Sequence, residues 1–462
     1  MTSFVFFLKN SIKRNSTRVI TFGFLWAIIV GALLLMLPCA TAAGCKTSFL
    51  TALFTSTTSI CVTGLVVVDT CSHWTLFGQF IILLLIQIGG LGVITLYSLG
   101  IMAIHRRFSL QMNILLQDYY NLASLNGVVN FMTKVVAGTL AVESIGAILY
   151  SLLFVPEFGL LRGIWVSVFT SVSAFCNAGI DIIAPDSLCR YSGSIIVNMT
   201  TVLLVVMGGL GYVVWFDVHN SIKKCRRSKD SLRTIWHKLN EHSKLVITLT
   251  LFLLLSGTFI VLVIEGDNPG TLGPFSPGKK TMAALFQSMT FRTAGFSTVP
   301  QQNLEPLTCL YGILFMFIGG SPIGTAGGIK TVTLFILILN VKAFICGREE
   351  TLLYGHSISQ KMINKATAIT MVSLSTTMVC LILLVSTNNV SIMNAAYEVF
   401  SATGTVGLSR GVTPNLDQTG RIIDILAMYL GRIGPISMGL FFSINRGHGK
   451  NVKHAEGRYY IG

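Results

Sequence analysis

Four short stretches of the 462-residue chain each carry a glycine at a matched place: 54–65 (FTSTTSICVTGL), 169–180 (FTSVSAFCNAGI), 286–296 (FQSMTFRTAGF) and 400–408 (FSATGTVGL). Their glycines, Gly64, Gly179, Gly295 and Gly407, are separated by 115, 116 and 112 residues. The chemistry open to such loops is coordination of a bare alkali cation. The ion needs several oxygen ligands in place of its water shell, and a ring of backbone carbonyls supplies them. Turning consecutive carbonyls inward demands backbone angles that glycine adopts readily. The candidate ligands are thus the carbonyls of Val62, Thr63 and Gly64, of Asn177, Ala178 and Gly179, of Thr293, Ala294 and Gly295, and of Thr405, Val406 and Gly407. A lone glycine of this kind would indicate a turn or a packing contact, whereas four at one spacing indicate a repeated pore loop.

A second glycine element follows each loop: Gly89 and Gly90, Gly208 and Gly209, Gly319 and Gly320, and Gly431 with Arg432, at intervals of 25, 29, 24 and 24 residues. In the third unit it opens the run GGSPIGTAGG, within a 36-residue apolar stretch, 311–346. As one helix that stretch would be about 54 Å long, too long for a hydrocarbon core of roughly 30 Å. Gly319, Gly320, Ser321, Pro322, Gly324, Thr325, Gly327 and Gly328 should therefore interrupt it. A flexible loop beneath the four carbonyl loops, ending at Lys330, would act as a gate; a kink serving packing alone is the other reading. Arg432 stands where the other units have glycine, and intramembrane charge is costly and usually functional. We read it as an electrostatic barrier that also anchors the gate, with a structural ion pair as the alternative. Arg292, three residues before Gly295, is placed behind the loop as a prop, since a positive ligand would repel a cation. Glu398 has no assigned role.

The elements that would position these loops are transmembrane helices. The chain is 52% apolar and only 11% charged, where soluble domains carry about 25% charge. Stretches 19–37, 74–104, 135–155 and 245–264 are long enough to cross a bilayer. The expected fold is an all-α polytopic membrane protein: four tandem helix–pore loop–helix repeats around a central pore, with eight transmembrane helices and four re-entrant pore helices. The repeats are set at 1–105, 106–235, 236–350 and 351–462. The net charge of +15 would suit nucleic acid, but 23 of the 33 Lys and Arg fall in five short segments between apolar runs. That distribution encodes topology. It places both termini in the cytoplasm and puts Asp69, Glu157, Asp181, Asp186, Glu265, Asp267 and Asp417 outside. The N-terminal apolar run is taken as a retained span.

Other motifs mislead. Residues 407–411 match GxSxG, but no strand-to-helix turn is available. Residues 324–331 (GTAGGIKT) approach a phosphate loop, yet Ile329 intervenes before Lys330 and no parallel sheet is present. The ten cysteines show no metal-ligand spacing, although Cys39, Cys45 and Cys71 lie on one side and could pair. No catalytic cluster is visible, so an enzyme is not expected, and no organic cofactor is expected on this chain.

At these loops the sequence resembles the Trk/Ktr/HKT superfamily of potassium transporters over nearly its whole length. The segments SICVTGL, AFCNAGI, FRTAGF and TVGLS resemble that superfamily's filter loops, GGSPIGTAGGIKT its intramembrane gate and GRIGP its pore arginine. With no helix pair expected before the first repeat, the chain is most similar to the KtrB-type members. The resemblance implies potassium as substrate at the filter carbonyls and residence in the cell membrane. It also implies a homodimer with one pore per subunit, working with a cytoplasmic nucleotide-binding regulatory subunit of the KtrA/TrkA type. Glycine at all four filter positions is similar to the potassium-selective members. Cys176 and Ile180 depart from the usual Asn and Phe, which leaves sodium dependence open. A passive gated pathway is the leading reading, with a secondary active transporter or a sodium-permeable member of the superfamily as the alternatives. Basic residues 223–229 read plainly as a topology signal, with contact to anionic lipid or to the regulator as the other readings.

Overall fold

The computed structural model describes residues 16–92, 95, 98, 116, 117, 127–228 and 233–434. The basic ends of the chain and most of residues 93–104 lie outside the described residues. Within them, one three-part pattern occurs four times. The first unit has α1 (Ser16–Leu35), α2 (Phe49–Cys61) and α3 (Leu76–Leu91). The second has α4 (Val128–Phe158), α5 (Leu160–Cys176), α6 (Ile195–Leu210) and α7 (Tyr212–Ser228). The third has α8 (Glu241–Glu265), α9 (Pro277–Thr290), α10 (Pro306–Phe317) and α11 (Thr331–Ile345). The fourth has α12 (Gln360–Thr387), α13 (Ile392–Gly404) and α14 (Gln418–Ile433). A two-strand hairpin, Leu352–Leu353 with His356–Ser357, links the third and fourth units.

Length separates two kinds of helix. Helices α4, α8 and α12, of 31, 25 and 28 residues, are long and apolar enough to cross a bilayer. Their outer faces are apolar and exposed, as at Ile148 and Leu152 on α4 or Leu255 and Phe259 on α8, the pattern of side chains that meet acyl chains. The second helix of each unit is short. At 13 residues, α2 and α13 reach only about 20 Å and cannot span. Both are nonetheless buried along most of their length. Such elements persist at membrane depth only where protein encloses them.

Small residues dock three of the four short helices against the first helix of their own unit. Ser56 of α2 donates to the Ile28 carbonyl at 2.7 Å, Ser171 of α5 to the Glu143 carbonyl at 2.6 Å, and Ser288 of α9 to the Leu254 carbonyl at 2.9 Å. In each case the glycine three residues on, Gly31, Gly146 or Gly257, makes room for that serine, since a Cβ there would collide with its hydroxyl. Close helix approach through small residues is how membrane helices associate without a hydrophobic driving force. Gly146→Ala and Gly257→Ala are each expected to destabilise the fold by about 1–3 kcal/mol through overpacking. Thermal melting of the detergent-solubilised protein should fall accordingly, and an unchanged midpoint would remove this docking account.

The inward helices are cut by glycine. Helices α3, α6 and α14 stop at Gly92, Gly211 and Gly434, with φ of 88°, 88° and 85°, a region that side chains rarely enter. At Gly211 the chain turns by 97° into α7. The third inward helix stops at Phe317 and resumes at Thr331, leaving 318–330 as irregular backbone. All ten cysteines are unpaired, so no bridge joins Cys39, Cys45 or Cys71.

Candidate ion pathway

The loops take their shape at the C-terminal ends of the short helices. Helices α2, α5 and α13 end on a left-handed residue: Val62 (φ 55°), Asn177 (φ 61°) and Thr405 (φ 51°). Thr293, with φ 66°, holds the equivalent place in the third loop. In the first, second and fourth loops the next amide bonds back to the helix, Thr63 to the Thr58 carbonyl, Ala178 to Ser173 and Val406 to Ser401, at 2.8–2.9 Å. This is a Schellman-like end, but with Val and Thr where glycine is usual. Strain of this kind costs of order 1–3 kcal/mol per residue and concentrates at functional sites. Two residues further on, Gly64, Gly179, Gly295 and Gly407 are again at positive φ, between 65° and 101°.

The serines and threonines of the approach brace these turns. Gly64 N donates to Thr58 Oγ1 at 2.9 Å and Gly407 N to Ser401 Oγ at 3.0 Å. In the other two loops the hydroxyl donates instead, Ser173 to the Ile180 carbonyl and Thr290 to the Phe296 carbonyl. Glu398, unassigned from sequence, is fully buried and accepts from Ser409 Oγ at 2.6 Å and from Thr413 Oγ1. It thereby ties the far limb of the fourth loop.

The four glycines close a ring. A Cβ on Gly64 would strike the Ala178 carbonyl oxygen and lie 3.2 Å from Gly407 Cα. One on Gly179 would strike Gly295 Cα, and one on Gly295 would lie 2.8 Å from the Val406 oxygen. One on Gly407 would strike the Thr63 oxygen. Each loop therefore abuts the next in chain order and the fourth abuts the first. Val62, Thr63, Asn177, Ala178, Thr293, Ala294, Thr405 and Val406 are all buried.

The second glycine elements prove to have a shared task in three units. Gly89, Gly208 and Gly431 lie against the carbonyls of Ile60, Phe175 and Thr403, each the penultimate residue of that unit's short helix.

The loop 318–330 lies against this ring and touches the second and fourth units. Gly327 packs on the Thr405 hydroxyl and Gly324 on the Gly208 carbonyl. Ser321 N donates to the Gly209 carbonyl at 2.9 Å, Thr325 N to Gly208 at 3.1 Å, and Tyr212 N to Ile323 at 2.9 Å. Gly319 N and Thr331 N bond within the loop to the Ile329 and Gly320 carbonyls, and Pro322 lies against Gly211. Lys330 Nζ donates to the Ala326 carbonyl at 2.6 Å, and Gly328 adopts φ 64°. Arg432 donates to the Thr325 carbonyl and to the Gly89 carbonyl, both at 2.6 Å. Among the described residues no carboxylate pairs with Arg432, so its partners are the loop and the first unit. Arg292 is 8% exposed, its Nε without a partner among the described residues, beside Asn177, Thr250 and Gly320 at a void of about 10 Å³.

Sequence reading missed the left-handed residues, the cuts at Gly92, Gly211 and Gly434, and the Glu143 carboxylate, which accepts from Gln87 at 3.1 Å. The cuts did have a signal: each lies three residues past Gly89, Gly208 or Gly431.

A closed ring of four helix-capped glycine loops, enclosed by four like helical hairpins, defines a polytopic membrane transporter of the pore-loop class. The chain belongs to the TrkH family, described as cation transport protein, which matches residues 13–454. Its relatives include the Ktr system potassium uptake protein B of Bacillus subtilis (strain 168), 36% identical over 98% of both chains. They also include the potassium/sodium uptake protein NtpJ of Enterococcus hirae, 35% identical over 97% of this chain and 98% of that one. The crystal structure of the potassium transporter TrkH from Vibrio parahaemolyticus shares the fold, with a TM-score of 0.73 at 17% identity over 93% of this chain and 85% of that one. The family is one of transporters, not enzymes.

Proposed function

We propose that the chain takes up potassium through the ring of carbonyls at Val62 to Gly64, Asn177 to Gly179, Thr293 to Gly295 and Thr405 to Gly407, with the loop 319–330 as gate and Arg432 as its latch. The observation that carries this reading is the closure of the four glycine loops on one another, with the irregular loop packed against them. Carbonyls so held can replace a hydration shell, and the latch bonds Arg432 to both the loop and the first unit. Potassium as cargo draws support from the names of the two relatives. The name of the Enterococcus hirae relative also motivates testing sodium, either as a coupled or as a second transported ion. A secondary active transporter fits less well, because such proteins set paired halves around a midplane site, whereas here four like units enclose one axis. The units 1–105, 106–235, 236–350 and 351–462 each supply one wall.

On this reading the protein lies in the cell membrane with both termini cytoplasmic, as the placement of its basic segments suggests. It forms a homodimer and works with a cytoplasmic nucleotide-binding subunit of the KtrA/TrkA type. The word "system" in the Bacillus subtilis relative's name supports a partner component. The basic end of α7, with Lys223, Lys224, Arg226 and Arg227, suits contact with anionic lipid. The experiment is rubidium and potassium uptake into proteoliposomes of the purified chain, with and without the regulatory subunit; absence of uptake in both would end the proposal.

A pH dependence follows at the outer mouth. Asp181 lies two residues past Gly179, and burial pushes its carboxyl up to about 6, with hydrogen bonds from Ser187, Ile183 and Ala184 opposing the rise. Above that pH the side chain is negative and draws cations to the loops; below it the charge is lost. Potassium uptake should therefore fall as external pH drops through about 6, and Asp181→Asn should flatten that profile at the low plateau. A variant profile identical to wild type would sever Asp181 from the pathway.

A further inference from the structure

Thr325 is the most heavily bonded residue of the loop 318–330: its bonds run to α6, to the second carbonyl loop and to Arg432, and reach the third loop only through Asn177. Its amide and carbonyl are taken by Gly208 and Arg432. Its hydroxyl lies 3.1 Å from the Phe175 carbonyl, at the end of α5, and 3.2 Å from Asn177 Oδ1. The other end of the Asn177 amide lies 3.4 Å from Thr293 Oγ1. Gly208 leaves the space for this node: a Cβ there would stand 2.6 Å from Thr325 Oγ1 and 2.9 Å from Asn177 Oδ1. All three side chains are buried, at 1% exposure or less.

Counting protons sharpens the picture. One hydroxyl carries one hydrogen, so Thr325 cannot donate to both Phe175 and Asn177. Each of the three contacts has one donor and one acceptor when the Asn177 amide is turned so that its nitrogen donates to Thr325, Thr325 donates to Phe175 and Thr293 donates to Asn177 Oδ1. Amide orientation is set by such networks. Of the four equivalent left-handed positions, Val62, Asn177, Thr293 and Thr405, Asn177 is the one whose side chain bonds the irregular loop among the described residues.

We propose that Asn177 is a positioning residue that couples gate to filter: its amide holds the second and third carbonyl loops in register only while Thr325 of the gating loop is in place. The proposal rests on the filter and gate assignments above. Withdrawing the loop strips Asn177 and the Phe175 carbonyl of their hydroxyl partner in a buried setting, where an unmade bond is expensive. Asn177 then loses the brace that sets its own carbonyl, the first of the three in the second loop. Coupling between sites is reciprocal, so an ion seated on that carbonyl also biases the gate. Opening thereby changes selectivity, and the occupying ion changes opening.

The test uses the purified full-length chain in proteoliposomes without regulator. It reads rubidium leak and the potassium-to-sodium flux ratio for wild type, Thr325→Val, Thr325→Ser, Asn177→Gly and the Val/Gly double variant. Asn177→Gly deletes the amide without penalising the left-handed backbone. Each of Thr325→Val and Asn177→Gly should raise leak and lower the flux ratio together, by about five- to tenfold, the net worth of a buried hydrogen bond. The double variant should go no further than either single one, and Thr325→Ser should behave as wild type. Leak that rises while the flux ratio stays fixed, or single effects that multiply in the double variant, overturns the coupling. Asn177→Gly alone decides the matter if Thr325→Val does not fold, because leak and ratio must still move together. Wild-type liposomes that fail to select potassium would instead overturn the filter assignment.

Discussion

Arg432→Ala is expected to raise regulator-free potassium uptake by about a hundredfold. The guanidinium makes two bonds of 2.6 Å, to the carbonyls of Thr325 and Gly89, which fasten the irregular loop to the first unit. Hydrogen bonds from a charged donor are worth about 1.5–3 kcal/mol each. Losing both shifts a closed-to-open equilibrium by about 3 kcal/mol or more, and each 1.4 kcal/mol is a factor of ten. On the proposed pathway the substitution also removes a positive charge beside the cation, which acts in the same direction. Arg432→Lys keeps the charge but offers a point donor in place of a fork, so it should give an intermediate leak. The check is rubidium uptake by the purified variants in liposomes. Uptake at the wild-type level for Arg432→Ala would mean that the loop is held without Arg432, by its contacts to 175–177, 208–212 and 404–405.

Gly407→Ser is expected to remove most discrimination between potassium and sodium. At φ 94° a side chain is strained by about 1–3 kcal/mol, and its Cβ would collide with the Thr63 carbonyl oxygen while lying 2.8 Å from Gly64 Cα. The neighbouring loop must yield, and the oxygen that yields is itself a proposed ligand. A selectivity loss of at least about tenfold follows if as little as 1.4 kcal/mol of that strain falls on the ion site. Gly64→Ser strikes the Ala178 carbonyl oxygen of the second loop and also approaches the fourth loop from the other side, at 3.2 Å from Gly407 Cα. Because the two share that contact, the double variant should fall short of the summed effects. Gly44 is a suitable control: it too has positive φ, but a Cβ there meets nothing within 4 Å.

The parts of this fold legible in the sequence are those written as repetition. Gly64, Gly179, Gly295 and Gly407 mark the ring because only glycine tolerates both the backbone angle and the approach of the next loop. The break between Phe317 and Thr331 was legible because Gly and Pro interrupt a run too long for one span. Other features depend on contacts between units, which spacing does not encode. Val62, Thr293 and Thr405 adopt left-handed angles that their own side chains disfavour, so tertiary packing imposes them. The bond of Asn177 to Thr325 joins residues 148 apart, and the anchoring of Arg432 to Gly89 joins residues 343 apart. The turn at Gly211 was concealed for a different reason: α6 and α7 read as one apolar-to-basic run, and only the positive φ of the glycine distinguishes a bend from a continuous helix.

The central claim is that four glycine loops form one potassium-selective ring, and the most direct measurement is the potassium-to-sodium flux ratio of proteoliposomes holding wild type, Gly64→Ser, Gly407→Ser and Gly44→Ser. Wild type and Gly44→Ser should show a high ratio, and the two ring variants a ratio falling toward one. Equal ratios for all four proteins, or a wild type that carries neither ion with its regulatory subunit present, would contradict it.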